Sequence, residues 1–163
     1  MDALPANILT DEPAEVLSDV RRELSGSASR ASCEALLRSA GLKPTRQRIM
    51  LGDLLFSGGH RHVTAEQLYG EILEANMHLS LATVYNTLNQ FTEAGLLRRI
   101  GADGNKSFFD TNTSVHPHFY IEDEDILIDI PEGLVFQHVP AALPGYELSR
   151  LDVIVHLRRK PGG

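Results

Sequence analysis

Apolar side chains recur at helical spacing through the middle of the chain, and this pattern predicts four helices. The first runs from Ala31 to Ala40 and stops at Gly41, because a residue without a Cβ favours the left-handed cap that ends many helices. The second follows Pro44 and ends at Gly58. Each helix has apolar residues on one side, so each is expected to pack that side into a core.

The third helix has the clearest start signal. Thr64 and Gln67 have the spacing of a capping box, in which each side chain satisfies a backbone N–H at the start of the helix. Val63 and Leu68 are placed to pack on each other as a hydrophobic staple. We expect this helix to continue to about Asn76.

The fourth helix is predicted between the cap residue Ser80 and Gly95, and its composition is unusual. No charged residue occurs from Ser80 to Thr92, although charged residues make up 23% of the chain. Its apolar side comprises Leu81, Val84, Leu88 and Phe91. Its polar side comprises Thr83, Tyr85, Asn86, Asn89 and Gln90.

Strand patterns replace helical patterns after Gly95. Residues 96–100 and 106–110 flank a turn over residues 101–105, which predicts a β-hairpin. Further strands are predicted at residues 118–121, 126–130 and 146–159, with a short helix or turn near residues 132–142. The apolar strand from Leu151 to Leu157 needs a partner, so a homodimer is expected.

This order of elements predicts an α+β fold with two domains. The last three of these helices, followed by the hairpin, indicate an N-terminal winged helix-turn-helix domain, which we assign to residues 30–111. A small α/β dimerisation domain is assigned to residues 112–163. Residues 1–29 are acidic and are expected to form a partly helical extension.

Length and composition exclude several classes of protein. The chain has 163 residues, of which 42% are hydrophobic, so it can form one compact core or two small domains but not a long multidomain enzyme. No apolar run reaches 18 residues, and the N-terminus is acidic, so we expect a cytoplasmic protein without a membrane partner. The single cysteine, Cys33, excludes an internal disulfide and a thiolate-rich zinc site.

The net charge of −7 conceals an uneven distribution. Residues 30–110 carry nine basic and eight acidic side chains, whereas each flanking segment has four more acidic than basic residues. Only the middle segment is therefore suited to approach a polyanion.

The polar side of the fourth helix is suited to the major groove of DNA. Asn and Gln can bond adenine edges, and Thr can contact the thymine methyl group. Basic residues on either side of this helix are available for phosphates. The DNA-binding residues expected on these grounds are Lys43, Arg48, Thr83, Tyr85, Asn86, Asn89, Arg98 and Lys106. The alternative is a neutral helix that faces only solvent or a second subunit.

The sequence His116-Pro117-His118 is the main candidate for metal chemistry. In an extended segment, residues two positions apart point to the same side, so both imidazoles can reach one ion. Zn²⁺, Fe²⁺ and Mn²⁺ accept imidazole and carboxylate ligands. Ordinary packing histidines remain the alternative. A small cupin-like metal enzyme is a further alternative, because Glu122 follows at a suitable spacing, but helices dominate the first 95 residues.

Four stretches of the chain resemble the ferric uptake regulator (Fur) family over about residues 34 to 159. They are residues 41–48, residues 62–69, residues 81–88 and the His116-Pro117-His118 element. The resemblance implies a dimeric winged-helix repressor of promoter DNA with a metal site at the hinge between its domains. It implies Lys43 as a minor-groove contact and Tyr85 as a base contact. The regulatory metal ligands that it implies are His62, Asp110, His116, His118 and Asp129.

Three departures from the family pattern refine this expectation. Asn86 stands where the family usually has arginine, so a different operator is expected. Ile121 and Glu124 replace the Cys-x-x-Cys pair of the structural zinc site, and Leu151 replaces a histidine of a further metal site. These features are most similar to the iron response regulator (Irr) branch, which implies haem binding by the His-x-His element, here His116 and His118.

We therefore expect a DNA-binding regulator of iron and haem homeostasis genes, not an enzyme, controlled by haem or by a divalent metal. Whether its dimers pair into tetramers is left open, and a winged-helix dimer without any ligand is the remaining alternative.

Overall fold

The computed structural model describes residues 30–131, 135 and 137–162, which contain four helices and six strands. The helices are α1 (Arg30–Ser39), α2 (Arg46–Phe56), α3 (Ala65–Glu74) and α4 (Leu81–Glu93). The strands are β1 (His62–Val63), β2 (Arg98–Asp103), β3 (Lys106–Asp110), β4 (His118–Ile121), β5 (Ile126–Asp129) and β6 (Ile154–Leu157). The predicted α+β class is confirmed.

Two parts of the sequence prediction lie outside the described residues. They are the N-terminal extension and residues 132–134 and 136 of the predicted short helix or turn. Among the helices that the structure describes, none has both the length and the hydropathy needed to cross a bilayer.

The described chain divides into two compact units. The first comprises residues 30–99 and Phe109–Thr113, and the second comprises Ile100–Phe108 and residues 114–162. The outer part of the β2–β3 hairpin thus groups with the second unit, whereas the sequence analysis placed it with the helices. The reason is packing, because a small cluster in the second unit contains Ile100, Ala102, Phe108, Tyr120 and Leu127.

The first unit is built on a continuous apolar core. Leu36, Leu51, Leu68, Leu88 and Phe91 are fully buried, so every one of the four helices contributes to it. Burial of such side chains is the main favourable contribution to folding. The positions of these residues confirm the helical periodicity read from the sequence.

The helix ends also follow the sequence signals. The Thr64 side chain accepts from the backbone N–H of Gln67, and the Gln67 side chain accepts from the backbone N–H of Thr64, so the predicted capping box is present. Ser80 caps α4 by accepting from the N–H of Thr83. Gly95, at φ 75°, takes the left-handed conformation that follows the end of α4.

Two details of strands β1, β2 and β3 correct the sequence prediction. Residues His62 and Val63 form β1 and pair with β3, whereas the sequence analysis predicted no strand there. A two-residue strand is too short to show an alternating pattern. The hairpin turn is also tighter than predicted, because β2 extends to Asp103 and only Gly104 and Asn105 remain between the strands.

The second unit contains a three-stranded sheet in the order β5-β4-β6. Strand β5 pairs with β4 antiparallel and β6 pairs with β4 parallel. The predicted strand over residues 146–159 is too long, because β4 offers only four residues for pairing and β6 is limited to Ile154–Leu157. Tyr146 is 76% exposed and lies outside the sheet.

The acidic turn at residues 122–125 is held by basic residues that follow β6. Glu122 pairs with Arg158, and this hydrogen bond holds the pKa of the Glu122 carboxyl below its ordinary value. Glu124 pairs with Arg159, whose backbone N–H also donates to the carboxylate of Asp123 over 2.8 Å. Asp123, Glu124 and Asp125 are exposed, and the turn also anchors the end of β6.

A close approach between α1 and α2 requires a glycine. A Cβ placed on Gly52 would lie 2.4 Å from the Sγ atom of the buried Cys33. Gly70 in the middle of α3 has nothing within 4 Å of the same position. The two glycines therefore differ in their packing although both lie inside helices.

We expect Gly52→Ala to lower the free energy of unfolding by about 1 to 3 kcal/mol, because the added methyl group overpacks a buried site. Gly70→Ala is the matched control, and it should stabilise by about 0.4 to 1 kcal/mol, because alanine restricts the unfolded chain. Urea unfolding followed by circular dichroism measures both changes. Adding Cys33→Ala to Gly52→Ala should restore stability, and equal effects at the two glycines would contradict the packing argument.

Candidate nucleic-acid interface and metal centre

Helix α4 buries one side and presents the other. Val84, Leu88 and Phe91 are fully buried in the core of the first unit. Tyr85 is 37% exposed and Asn86 is also exposed. Tyr85 and Asn86 are therefore accessible, as contact with DNA requires, whereas Thr83, Asn89 and Gln90 are half-buried.

The phenol of Tyr85 is held by a carboxylate from the neighbouring helix. The Tyr85 hydroxyl donates to Oε1 of Glu66 on α3 over 2.6 Å. This hydrogen bond raises the pKa of Tyr85 above its ordinary value, with smaller contributions from desolvation and the Glu66 charge. Sequence reasoning did not find Glu66, because no pattern links side chains 19 positions apart on different helices.

Arg48 joins the turn before α2 to α4. Its Nε and Nη2 atoms donate to Oε1 of Gln90 over 3.1 and 3.0 Å, and its Nη1 atom donates to the carbonyl of Lys43 over 2.8 Å. Arg48 is half-buried, whereas the Lys43 side chain is exposed. The guanidinium therefore has protein partners in the first unit.

The two wing residues in the predicted set are less accessible than expected. Burial alternates along β2, so Arg98 is only 9% exposed and the exposed arginine is Arg99. At this exposure Arg98 offers little surface to a phosphate, and its role as a phosphate contact stays a prediction. Lys106 forms an ion pair with Asp125, so any phosphate would have to compete with that carboxylate.

The first unit brings together two of the predicted metal ligands. His62 lies opposite Asp110 in the β1–β3 register, and His62 Nε2 is 3.2 Å from Asp110 Oδ2. The carboxylate is fully buried, and its Oδ1 atom accepts from the backbone N–H of Asn112 over 2.7 Å. One carboxylate oxygen is thus fixed by the backbone while the other faces the imidazole.

The second unit brings together the other three. His118 lies opposite Asp129 in the β4–β5 register, and the Oδ1 atom of Asp129 is 3.3 Å from His118 Nε2 and 2.9 Å from His116 Nε2. The two imidazole rings lie side by side with centroids 4.3 Å apart. Ligand atoms of all three residues lie within 4.8 Å of one another, which is close enough to hold one ion.

The hydrogen bonds of His116 favour a ligand role. Its Nδ1 atom is 2.8 Å from the carbonyl oxygen of Ser114. A carbonyl can only accept, so Nδ1 donates to it and Nε2 is the nitrogen directed at Asp129. If the ring is neutral, Nε2 offers a lone pair on that side. A lone pair facing a carboxylate oxygen needs a proton or a cation between them, and both fit this arrangement.

Two further residues with side chains of metal-binding type, His156 and Cys33, have other surroundings. His156 Nδ1 is 3.0 Å from Glu122 Oε1, and its ring packs edge-on against Tyr120. Cys33 is buried, and burial raises the pKa of its thiol to about 12, which disfavours a thiolate ligand.

Comparison with known proteins decides the family. The family model described as the ferric uptake regulator family matches residues 39–138. The chain belongs to the ferric uptake regulator (Fur) family. It is similar to the ferric uptake regulation protein of Pseudomonas aeruginosa, with 32% identity over 127 residues that cover 76% of this chain and 95% of the relative. The corresponding protein of Pseudomonas fluorescens is 37% identical over 115 residues, which cover 69% of this chain and 94% of the relative.

Solved structures of Fur proteins have a similar fold. The Pseudomonas aeruginosa ferric uptake regulator with manganese matches with a TM-score of 0.58 and 29% identity, covering 79% of this chain and 98% of that chain. The Vibrio cholerae ferric uptake regulator matches with a TM-score of 0.62 and 28% identity, covering 77% and 98%. Fur-family proteins are dimeric DNA-binding transcription regulators of metal homeostasis and not enzymes, which sets aside the cupin-like alternative.

In this Fur-family chain, Glu66→Gln should lower the pKa of Tyr85 towards its ordinary value, because the charged hydrogen-bond acceptor is lost. Titration of the tyrosine Cζ signals by ¹³C NMR measures this change. Tyr120 is the internal control, because its hydrogen bond to Asp125 raises its pKa to about 12 independently of Glu66. A Tyr85 titration curve that is identical in the two proteins would show that Glu66 does not hold the phenol.

Proposed function

We propose that this protein is a sequence-specific transcription regulator of iron and haem homeostasis genes, related to the iron response regulator branch of the family. It binds promoter DNA as a homodimer, and a divalent metal changes its affinity. The observation that carries this proposal is the exposed, uncharged polar side of α4, with Tyr85 and Asn86 accessible. Family membership supports the role in transcription regulation. The residues of this chain support the more specific role in iron and haem homeostasis.

In this proposal the first unit is the winged-helix DNA-binding domain. Asn86 and Asn89 read base edges in the major groove, and Thr83 contacts a thymine methyl group. Lys43 contacts the minor groove or a phosphate from its exposed position before α2. Asn86 is charge-neutral where the family pattern has arginine, so the operator differs from that of family members with the arginine.

Each unit supplies part of the proposed metal site. His116, His118 and Asp129 form a compact set of nitrogen and oxygen donors, which suits Zn²⁺, Fe²⁺ or Mn²⁺. We propose that His62 and Asp110 complete the coordination of the same ion. Because these ligands belong to different units, metal binding favours one interdomain arrangement and can thereby change DNA affinity. The manganese in the structure of the Pseudomonas aeruginosa relative supports this choice of ligand class.

Haem is the second candidate signal, and the geometry fits it less well. The Nε2 atoms of His116 and His118 both lie near the same carboxylate oxygen. Their rings, with centroids 4.3 Å apart, do not leave room for an iron atom between them with each Fe–N bond about 2 Å long. Haem would therefore use one of these imidazoles at a time.

The second unit is proposed as the dimerisation domain of a cytoplasmic regulator. Ile126 and Ile128 of β5 are 40% and 44% exposed, and Leu157 of β6 is 39% exposed. A second copy of the chain would cover apolar surface of this kind. Analytical ultracentrifugation with and without Mn²⁺ distinguishes monomer, dimer and tetramer.

Calorimetric titration with Mn²⁺ or Zn²⁺ tests the ligand assignment. His118→Ala and Asp129→Ala should each weaken binding by more than about tenfold, because each removes a donor atom. His62→Ala should also weaken binding if the first unit contributes. His156→Ala is the matched control and should leave affinity unchanged, because its partner is Glu122. A haem titration runs in parallel, and a Soret shift that survives loss of both His116 and His118 excludes haem ligation there.

DNA binding is tested on a duplex selected in vitro from a random pool by the wild-type protein. Asn86→Ala should cost about 1 to 3 kcal/mol on the selected duplex and relax the preference at one base pair. Lys43→Ala should weaken binding to all duplexes and reduce the salt slope by about 1. Saturating Mn²⁺ should change affinity by about 5- to 150-fold. Failure to enrich any sequence would overturn the proposal.

A further inference from the structure

The guanidinium of Arg48 is used inside the first unit. Its Nε and Nη2 atoms form the paired edge that arginine usually offers to a carboxylate or phosphate, and both donate to the single oxygen Oε1 of Gln90. Its Nη1 atom donates to the carbonyl of Lys43. A phosphate could take that paired edge only if the bonds to Gln90 were broken.

We propose that Arg48 is a positioning residue and not a phosphate contact. It fixes the turn that carries Lys43 against α4, and so sets the spacing between the Lys43 contact and the base contacts of α4. This inference rests on the proposed DNA-binding function and adds a role that differs from the one expected for Arg48 from the sequence.

Two hydrogen bonds hold the backbone of the turn that carries Lys43. The carbonyl oxygen of Lys43 accepts from the backbone N–H of Thr45 over 2.9 Å and from Arg48 Nη1 over 2.8 Å, so both lone pairs are used. The Lys43 side chain remains exposed. A fixed backbone with a free side chain is what a groove contact needs, because the direction of approach is then set before DNA arrives.

Gln90 is the hydrogen-bond partner of Arg48 on α4. This role removes Gln90 from the polar side chains of α4 that are available to read bases. Gln90 is half-buried on α4, one turn after Asn86. Its amide oxygen accepts twice from Arg48 and cannot at the same time accept from the amino group of adenine. Base reading is therefore left to Thr83, Tyr85, Asn86 and Asn89.

A double-mutant cycle separates positioning from phosphate contact. The variants are Arg48→Ala, Arg48→Lys, Gln90→Leu and Arg48→Ala with Gln90→Leu, and fluorescence anisotropy measures affinity for the selected duplex at several salt concentrations. We expect each single variant to lose roughly tenfold in affinity, because each breaks the hydrogen bonds between Arg48 and Gln90. Arg48→Lys is included in this expectation, because lysine cannot replace the planar fork of the guanidinium. The double variant should lose no more than the worse single variant, and the salt slope should not change.

A phosphate contact gives the opposite results. Arg48→Lys would then retain most of the affinity, Arg48→Ala would reduce the salt slope by about 1, and the effects of Arg48→Ala and Gln90→Leu would add. Either pattern decides the role of Arg48. Arg46→Ala is the matched control, because Arg46 is an exposed arginine in the first turn of the same helix. Circular dichroism checks that every variant is folded.

A measurement without DNA keeps this inference distinct from the proposed function. The Arg48 Nε–H signal in ¹⁵N NMR of the free protein should exchange slowly with water, because it donates to Gln90. Gln90→Leu should abolish this protection, and Gln90→Glu, which retains an acceptor oxygen, should preserve it. An unprotected Arg48 signal in the wild-type protein would show that Arg48 is not held by Gln90, and this result overturns the inference. Loss of operator selection alone overturns the proposed function instead.

Discussion

The structure of the first unit depends on the burial of one side of α4. Val84, Leu88 and Phe91 are inaccessible to water, and they determine how the helix is rotated about its axis. That rotation leaves Tyr85 and Asn86 on the outside. The core therefore determines which side chains are presented, and the surface proposed to read the operator follows from hydrophobic packing.

Strand pairing has the same role for the candidate metal ligands. His62 faces Asp110 across an antiparallel pair in one sheet, and His118 faces Asp129 across an antiparallel pair in the other. Side chains that are directly opposite on neighbouring strands lie close together on the same face. The separate ligand sets are thus consequences of register, and a slip of one residue would turn each imidazole away from its carboxylate.

The sequence predicted the elements with strong local signals and failed where the determining contact was distant. The capping box at Thr64, the cap at Ser80 and the left-handed Gly95 were all readable because their causes lie within a few residues. The strand β1 was missed because two residues carry no periodicity. The length of β6 was overestimated because β4 limits its pairing.

In the candidate site, too, local signals were readable from the sequence and distant contacts were not. The His116 and His118 pair followed from spacing of two residues, but the facing carboxylates needed the family resemblance, since sequence spacing alone does not reveal register. The partners of Tyr85 and Arg48 could not be predicted, because Glu66 and Gln90 lie on other helices and were brought near by packing. The burial of Arg98 could not be predicted either, because one position of strand phase separates it from the exposed Arg99.

The enclosed position of Cys33 also bears on how this molecule can be studied. Its side chain is 3% exposed, Gly52 closes over its sulfur, and burial raises the pKa of its thiol to about 12. Alkylating reagents attack thiolates that solvent can reach, so the native cysteine is a poor target for them. Fluorescent or paramagnetic labels attached to a cysteine introduced in each unit would report interdomain distances directly, with the wild-type background left intact.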